Sequence, residues 1–330
     1  ACLVGSEMCI RDSVIPVYNV EKYVSECLDS CLEQNIDITD YEIIIVNDGS
    51  TDNSANLINL YAKQSNIIII NQENLGLSAA RNAGMKIAKG EYIWFVDSDD
   101  WIEPGILKRI LLAISLCAKD CFRLNYRTVT EAGKILKDYT PLKKGDESCQ
   151  TGMEFLSKDF SFSFYAWSFV FNRYFLLKNN FFFTEGLIFE DLQLIPRVLR
   201  KAKCVKELPF IAYNYRQRKD SLVNSVNEKM LDSVFYILKS YQNYIPSISN
   251  DKEKKYFILL SNRIKIMFLV LLGNFENSIK KRRYLLDFKR EYPSIKILIG
   301  MSLKEKICAI IYNFSLQLLC GLFDIKYLLK

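Results

Sequence analysis

Four short apolar runs, each followed by polar turn residues, constrain the fold of this chain more than any other feature. The runs are residues 13–17, 42–46, 66–70 and 91–96. Between them, apolar residues recur at helical spacing, as over residues 21–34 and 77–88. Parallel neighbouring strands need crossover connections of this kind. The pattern therefore predicts an α/β fold with a mostly parallel central sheet and helices on both faces.

The remainder of the chain divides into a mixed segment and a helical segment. Strand-like runs cover residues 121–129, 162–171 and 210–215, and helical spacing covers 152–158 and 191–201. Beyond Asn227 the pattern predicts helices at 230–244, 254–273 and 303–329. Residues 1–12 match neither a targeting signal nor the pattern that follows. We therefore expect a non-native leader at 1–12, an α/β domain at 13–225 and a helical region at 226–330.

The charge of the chain is concentrated in this helical region. The whole chain has a net charge of +6, and residues 226–330 hold 18 Lys and Arg against 9 Asp and Glu, a net charge of +9. Residues 307–323 carry no charge, but this run is shorter than the roughly 20 residues that span a bilayer. Basic helices of this kind bind nucleic acid, lie on anionic lipid headgroups or are simply solvated.

The chain contains 10 cysteines and no histidine. The lack of histidine excludes an imidazole base and zinc sites of the mixed Cys/His type. Proton transfer in an active site of this chain must therefore use other groups, of which carboxylates are the expected ones.

The Asp97-Ser98-Asp99 sequence after the fourth predicted strand is the sharpest chemical feature. Carboxylates at positions i and i+2 leaving a strand point to the same side and suit one divalent ion bound to a diphosphate. A solvated acidic turn is the alternative. Asp48 ends a different strand, and it can bind a base or ribose or merely close a turn. Ligands of open α/β sheets bind at these carboxyl ends of the strands.

Three further residues have both a functional and a structural interpretation. Arg81, at the start of a predicted helix, reaches a phosphate, fixes the acidic cluster or forms a surface salt bridge. Glu190 and Asp191 open another helix, where they act as a general base or stabilise the helix dipole. The sequence contains neither a G-x-G-x-x-G fingerprint after a strand nor a P-loop, which argues against dehydrogenases and P-loop NTPases.

Taken together, these motifs resemble those of family 2 of the inverting glycosyltransferases, which have the GT-A fold. The resemblance covers residues 14–221. The matching segments, in the order of the family, are 14–19, 46–52, 74–76 with 80–84, 90–92, 97–100 and 190–191. The apolar run before Pro16 is shorter than is usual in the family. This departure fits a loss of native N-terminal sequence.

The resemblance implies a role for each matching residue. Asp191 is the expected catalytic base, with Glu190 beside it, and Asp99 is the expected ligand of Mn²⁺ or Mg²⁺. Trp167 is expected on the acceptor side, and a looser match at 213–216 with Ser221 is expected to close over the donor. The residues implied in donor binding are Pro16, Val17, Tyr18, Asp48, Arg81, Asp97, Ser98 and Arg216, of which Asp48 meets the uracil and Arg216 a phosphate.

The implied function is transfer of a hexose or N-acetylhexosamine from a UDP-sugar to a hydroxyl of a glycan or lipid-linked acceptor, with inversion, in the synthesis of cell-surface polysaccharide. We expect no nucleic-acid partner, and a cytoplasmic protein that lies peripherally on the anionic inner face of the membrane. A non-catalytic sugar-nucleotide-binding relative is one alternative. A nucleotidylyltransferase is another, although the Gly-rich loop with Arg expected after its first strand is absent.

Overall fold

The structure is a computed structural model that describes residues 11–116, 119–139, 148–158, 164–218 and 226–314. It divides into two compact units, residues 1–186 with 190–219, and residues 187–189 with 220–330. The sequence predicts that the α/β domain ends at residue 225, and the structure places the division between the two units six residues earlier, at 219. Ser221 and most of the uncharged run 307–323 lie outside the described residues.

The first unit begins with the predicted alternation of strands and helices. The strands are β1 (Arg11–Val17), β2 (Tyr41–Asp48), β3 (Ile67–Gln72) and β4 (Tyr92–Phe95). The helices between them are α1 (Val24–Leu32), α2 (Ser54–Asn59) and α3 (Leu77–Ile87). The strands pair in the order β3-β2-β1-β4, and all three pairings are parallel.

Both faces of β1, β2 and β4 are buried, as their uninterrupted apolar sequences predict, whereas the edge strand β3 is mostly half-buried. Ile15, Ile43 and Trp94 belong to one core cluster, which also contains the apolar side of α1. The neighbouring Val14 points to the opposite face, because successive side chains alternate along a strand. There it meets Gly84 of α3, where an added Cβ would lie 2.4 Å from Val14 Cγ1. Gly84 thus lets α3 pack closely on β1.

The beginning of β1 corrects one predicted boundary. Arg11 and Asp12 were assigned to the leader, but they form the first two residues of β1. Asp12 is fully buried, and its Oδ2 accepts hydrogen bonds from the backbone N–H groups of Lys89 (2.6 Å) and Gly90 (2.8 Å). This carboxylate satisfies the amides of the turn before β4, so it belongs to the fold of the α/β unit.

The sheet continues into the mixed segment of the chain. Its elements are β5 (Trp101–Ile102), α4 (Ile106–Leu116), β6 (Cys121–Thr130), β7 (Ile135–Tyr139), α5 (Gly152–Lys158), β8 (Phe169–Asn172), α6 (Arg173–Lys178), α7 (Glu190–Lys201) and β9 (Val205–Gln217). The order continues β4-β8-β6-β9-β5, with β7 also on β6. The β6–β9 pair is parallel, and the other new pairs are antiparallel. A disulfide joins Cys149 to Cys204.

The second unit is helical, as predicted. It contains α8 (Glu228–Tyr244), α9 (Asp251–Asn274), α10 (Ser278–Glu291) and α11 (Leu303–Phe314). Asn227, Asn250 and Asn277 cap α8, α9 and α10, since each side chain accepts a hydrogen bond from a first-turn backbone N–H. The α10 helix was not predicted. The predicted α/β fold with a helical C-terminal region is confirmed.

One helix among the described residues, α9, is long and apolar enough to cross a membrane. Buried helices of soluble proteins share this composition, and 56% of the most apolar window of α9 is buried. Phe268 of α9 stacks on Phe288 of α10 with ring centroids 4.5 Å apart. The apolar side chains of α9 therefore serve at least in part to pack the second unit.

Candidate active site

The turn after β4 holds three aspartates that differ in exposure. Asp100 is buried, whereas 24% of the Asp97 side chain and 20% of the Asp99 side chain are exposed. Asp100 Oδ2 accepts a hydrogen bond from Tyr213 Oη (2.8 Å), and its Oδ1 accepts one from the backbone N–H of Arg216 (2.7 Å). Asp100 thus fixes the turn to β9 and leaves Asp97 and Asp99 to face a ligand.

Arg81 of α3 joins this turn to the beginning of α7. Its Nη2 lies 2.6 Å from Asp97 Oδ1, and its Nη1 lies 2.5 Å from Glu190 Oε1. Only 3% of the Arg81 side chain is exposed. Burial lowers the pKa of Arg81, but the carboxylates of Asp97 and Glu190 raise it by more, so the guanidinium stays charged. Both terminal nitrogens therefore hold carboxylates of the acidic cluster, which is one of the roles considered for Arg81. The position near base and phosphates that the resemblance implies stays a prediction.

Asp191 follows Glu190 in the first turn of α7. Its Oδ1 accepts a hydrogen bond from the backbone N–H of Leu192 (2.7 Å). Removal of water by the surrounding protein and the adjacent Glu190 outweigh the attraction of Arg81, and they raise the pKa of Asp191 to about 8. The residue before α7, Phe189, has a φ of +65°, a strained conformation for a bulky side chain. A carboxyl with such a pKa suits a general base.

Asp99 is paired with an arginine that the sequence analysis did not single out. Arg218 Nη2 lies 2.5 Å from Asp99 Oδ2, and its guanidinium lies 5.2 Å from the ring centroid of Tyr23. Burial raises the pKa of Asp99, Arg218 lowers it, and Asp97 adds a further rise, with a net increase. The available signal was the Arg-x-Arg spacing at the end of β9, which directs both side chains to one side.

Arg216, the predicted phosphate contact, is instead occupied by the protein. Its Nη2 lies 2.5 Å from Glu26 Oε2, its Nη1 donates to the carbonyl of Glu131 (2.6 Å), and its Nε donates to the carbonyl of Asp99 (2.8 Å). The guanidinium also lies 4.5 Å from the ring centroid of Trp101. Only 5% of its side chain is exposed. Arg216 therefore helps to hold the acidic turn in place through the backbone carbonyl of Asp99.

Asp48 lies at the end of β2, as predicted, but its carboxylate is buried and has protein partners. Oδ1 accepts hydrogen bonds from Gln72 Nε2 (2.7 Å) and the N–H of Leu75 (2.9 Å), and Oδ2 accepts one from the N–H of Gly76 (2.8 Å). These contacts hold the start of α3, the helix that carries Arg81. Asp48 thus has a structural role, in line with the alternative that it closes a turn, and uracil binding by Asp48 stays a prediction.

The other predicted donor-binding residues differ in exposure. Pro16 and Val17 are buried at the end of β1, and Val17 packs into the core next to α1. Ser98 is also buried. Tyr18, by contrast, is 45% exposed. Of these four residues, Tyr18 therefore offers the most side-chain surface to a nucleotide.

Trp167, predicted on the acceptor side, lies in the core with 2% of its surface exposed. It stacks on Tyr165 (4.8 Å between ring centroids) and on Tyr213 (4.4 Å). Tyr165 and Tyr215 are only half-buried. Burial raises the pKa of Tyr165 to about 12, with smaller contributions from Tyr126 and Asp191. Tyr165 is therefore an aromatic surface near the candidate base, and Trp167 supports it from the core.

The acidic turn fits a divalent cation that is completed by ligands from a substrate. Asp97 and Asp99 present oxygen donors, the kind that Mn²⁺ and Mg²⁺ prefer. Among the described residues, no group of three or more His, Cys, Asp or Glu side chains is placed to hold a metal ion. Sites with one or two carboxylates plus phosphate oxygens are typical of Mg²⁺. Asp99 and Asp97 are the residues that would hold the ion.

Comparison with solved structures shows the fold. Two structures of S. aureus TarS residues 1–349, one in complex with UDP and one with UDP-GlcNAc, superimpose with TM-scores of 0.62 and 0.59. They cover 84% and 88% of this chain and 82% and 98% of TarS 1–349, at 21% and 18% identity. At these identities the likeness concerns the fold alone, which is GT-A.

Comparison of the sequence identifies the family. The profile of “Glycosyl transferase family 2” matches residues 12–178. The uncharacterized glycosyltransferase EpsJ of Bacillus subtilis (strain 168) is 32% identical over 236 residues, which are 69% of this chain and 67% of EpsJ. The poly(ribitol-phosphate) beta-glucosyltransferase of Bacillus spizizenii is 52% identical over 99 residues, which are 29% of this chain and 16% of that enzyme. The chain therefore belongs to glycosyl transferase family 2.

Proposed function

We propose that this chain is a metal-dependent, inverting glycosyltransferase that uses a UDP-sugar donor. One observation carries the proposal: Arg81 holds carboxylates from two separate elements, the turn after β4 and the start of α7, in one cluster. The cluster combines oxygen donors for a cation with a carboxyl of raised pKa. The UDP and UDP-GlcNAc complexes of TarS, which shares the fold, support a UDP-sugar as donor.

On the donor side, Asp99 and Asp97 would hold Mn²⁺ or Mg²⁺ together with the diphosphate. When bound, the cation neutralises the charge that develops on a departing nucleotide diphosphate. Tyr18, at the end of β1, is half exposed and offers its ring to the base. Arg81 contributes by positioning Asp97 and Glu190.

On the acceptor side, Asp191 accepts the proton of the attacking hydroxyl. The hydroxyl oxygen forms a bond to the anomeric carbon while the bond from that carbon to the diphosphate oxygen breaks, and the electron pair leaves with the diphosphate. Attack from the side opposite the leaving group inverts the configuration. Asp191 suits this step because its raised pKa makes it a stronger base than an ordinary aspartate. Tyr165 offers a ring against which an acceptor sugar packs.

The acceptor and the location of the protein extend this proposal. We infer a glycan or a lipid-linked acceptor in cell-surface polysaccharide synthesis, and a hexose or N-acetylhexosamine as the transferred sugar. The similarity to a poly(ribitol-phosphate) beta-glucosyltransferase supports a hexose, and the UDP-GlcNAc complex of TarS supports an N-acetylhexosamine. The charge of +9 over residues 226–330 favours contact with an anionic membrane surface on the cytoplasmic side. Flotation of the full chain with anionic and with neutral vesicles tests this contact, and equal recovery with both would contradict it.

Release of UDP tests the enzymatic proposal directly. We expect the chain to release UDP from UDP-glucose or UDP-GlcNAc in the presence of Mn²⁺ and to lose this activity with a chelator. Asp191→Asn should lower the rate by about a hundredfold or more while UDP binding is kept. Arg290→Met, which breaks an exposed pair with Asp287 in the second unit, is the matched control. Binding of UDP without release by any donor would favour a non-catalytic relative.

A further inference from the structure

Two arginines two residues apart reach the acidic turn in different ways. Arg216 is bound on three sides by protein oxygens, and 5% of its side chain is exposed. Arg218 pairs with the carboxylate of Asp99, and 22% of its side chain is exposed. Arg218 also follows the last residue of β9, Gln217. Of these two arginines, Arg218 is the one that solvent and ligands reach.

The oxygen that Arg218 contacts belongs to the carboxylate proposed to bind the cation. Arg218 Nη2 is 2.5 Å from Asp99 Oδ2, closer than a cation bound at the same oxygen would permit, because the two positive charges repel each other. Occupation of this oxygen, Asp99 Oδ2, by a divalent ion therefore requires Arg218 to leave. A diphosphate arriving with the ion brings anionic oxygens, which a guanidinium binds well.

We propose that Arg218 is an exchangeable counter-ion, which neutralises Asp99 in the ligand-free protein and moves to the donor diphosphate when the divalent cation takes its place. This inference rests on the proposed function, since it assumes a cation at Asp99. It assigns a donor-binding role to Arg218 in place of the one predicted for Arg216. Together with Arg81 at Asp97, Arg218 keeps two of the three aspartates of the turn paired with a positive charge before a ligand binds.

The proposal predicts that removal of the Arg218 charge changes two affinities in opposite directions. In Arg218→Met, Mn²⁺ alone should bind about fivefold more tightly, because no internal cation competes for Asp99. UDP measured at saturating Mn²⁺ should bind about tenfold more weakly, because a charged hydrogen bond to phosphate is lost. Free Mn²⁺ is measured by electron paramagnetic resonance and UDP binding by calorimetry, so neither readout depends on turnover.

Three variants complete the test. Arg218→Lys keeps the charge and should bind Mn²⁺ as the wild type does, Asp99→Asn should lose Mn²⁺ binding, and Arg290→Met should change neither affinity. Wild-type affinities in Arg218→Met, or a decrease of both, would overturn the exchange while leaving metal dependence intact. Lack of Mn²⁺ binding by wild type and Arg218→Met, with and without UDP, would overturn the exchange together with the proposed metal. The UDP-release assay would still decide whether the chain is an enzyme.

Discussion

Two arginines neutralise carboxylates of the candidate site, and they differ in exposure. We call the buried arginine with its partners the buried side, and the partly exposed arginine with its partner the exposed side. On the buried side, Arg81 binds Asp97 and Glu190, with 3% of its side chain exposed. On the exposed side, Arg218 binds Asp99, with 22% of its side chain exposed. A buried ion pair is costly to break because it leaves a charge without water or partner, whereas an exposed pair loses little. The buried side therefore fixes geometry, and the exposed side is free to exchange partners.

The largest effect is expected on the buried side. Arg81→Met should destabilise the first unit by about 3–5 kcal/mol, because it leaves the buried carboxylate of Glu190 and the mostly buried carboxylate of Asp97 without their partner. Urea unfolding followed by tryptophan fluorescence measures this, since Trp94, Trp101 and Trp167 all lie in the first unit. Arg290→Met, in the second unit, should leave that transition unchanged. A shift below about 1 kcal/mol for Arg81→Met would remove the distinction between the two sides.

A smaller effect is expected on how the rate of sugar transfer and the stability depend on pH. The pKa of Asp191 is raised to about 8, so its basic form increases as pH rises towards that value. The rate of sugar transfer at low acceptor concentration should increase about tenfold per pH unit below the pKa and level off above it. Because the folded pKa exceeds the unfolded one, the protonated carboxyl contributes stability at low pH that is lost as pH rises through the folded pKa.

The stability of Asp191→Asn tests the raised pKa of Asp191 independently of catalysis. Its stability relative to wild type should improve as pH rises from about 4 to about 8, over which the wild type loses the contribution of the protonated acid. A rate that stays flat over the same interval, together with a constant stability difference, would show that Asp191 does not titrate there.

A third prediction concerns Arg216, whose guanidinium binds the backbone carbonyl of Asp99. Arg216→Met should destabilise the first unit by about 2 kcal/mol, because the carbonyls of Asp99 and Glu131 lose charged donors. The fluorescence of Trp101, on which Arg216 lies, should change as well. If Arg216→Met keeps the stability of the wild type but binds UDP more weakly, this result would support the predicted contact between Arg216 and a phosphate.

The smallest effect is expected for Arg218→Met. Its stability should differ from wild type by about 0–1 kcal/mol in the same urea experiment, since both partners of the pair are partly exposed. Addition of salt should reduce even this difference, because exposed charges are screened. A loss as large as that of Arg81→Met would place Arg218 among the structural residues.

Much of the secondary structure of the first unit could be predicted from the sequence. The strands of the parallel half follow from their continuous apolar runs, because most of their residues are buried or half-buried, and helix α5 (Gly152–Lys158) follows from helical spacing, because one face of it is buried. The charged helix α10 was missed, since its sequence SIKKRRYLLDFKRE carries few apolar residues for a helical pattern to show. The acidic turn and the start of α7 were identified from their places after a strand and at the start of a helix, and the order of motifs in the family then assigned their roles.

The individual roles of the site residues were harder to predict. Arg216 and Arg218 lie two residues apart, and their spacing predicts the same orientation for both. Contacts with residues distant in sequence, namely Glu26, Asp99, Trp101 and Glu131, determine that Arg216 is buried. Trp167 is a core residue because of its stacking on Tyr213. Asp48 is occupied by the amides of a loop that begins about two dozen residues later. Such long-range contacts leave no mark in local sequence patterns.

The aromatic stack has a consequence for how acceptor preference can diverge among relatives. Trp167 packs flat on Tyr213, whose hydroxyl accepts a hydrogen bond from the Asp97 N–H and donates one to Asp100. A change at Trp167 would therefore disturb the donor half of the reaction as well. Tyr165 packs on Trp167 from a half-buried position and can be exchanged for other rings at lower cost. New acceptors are thus more accessible through Tyr165 than through its buried neighbour.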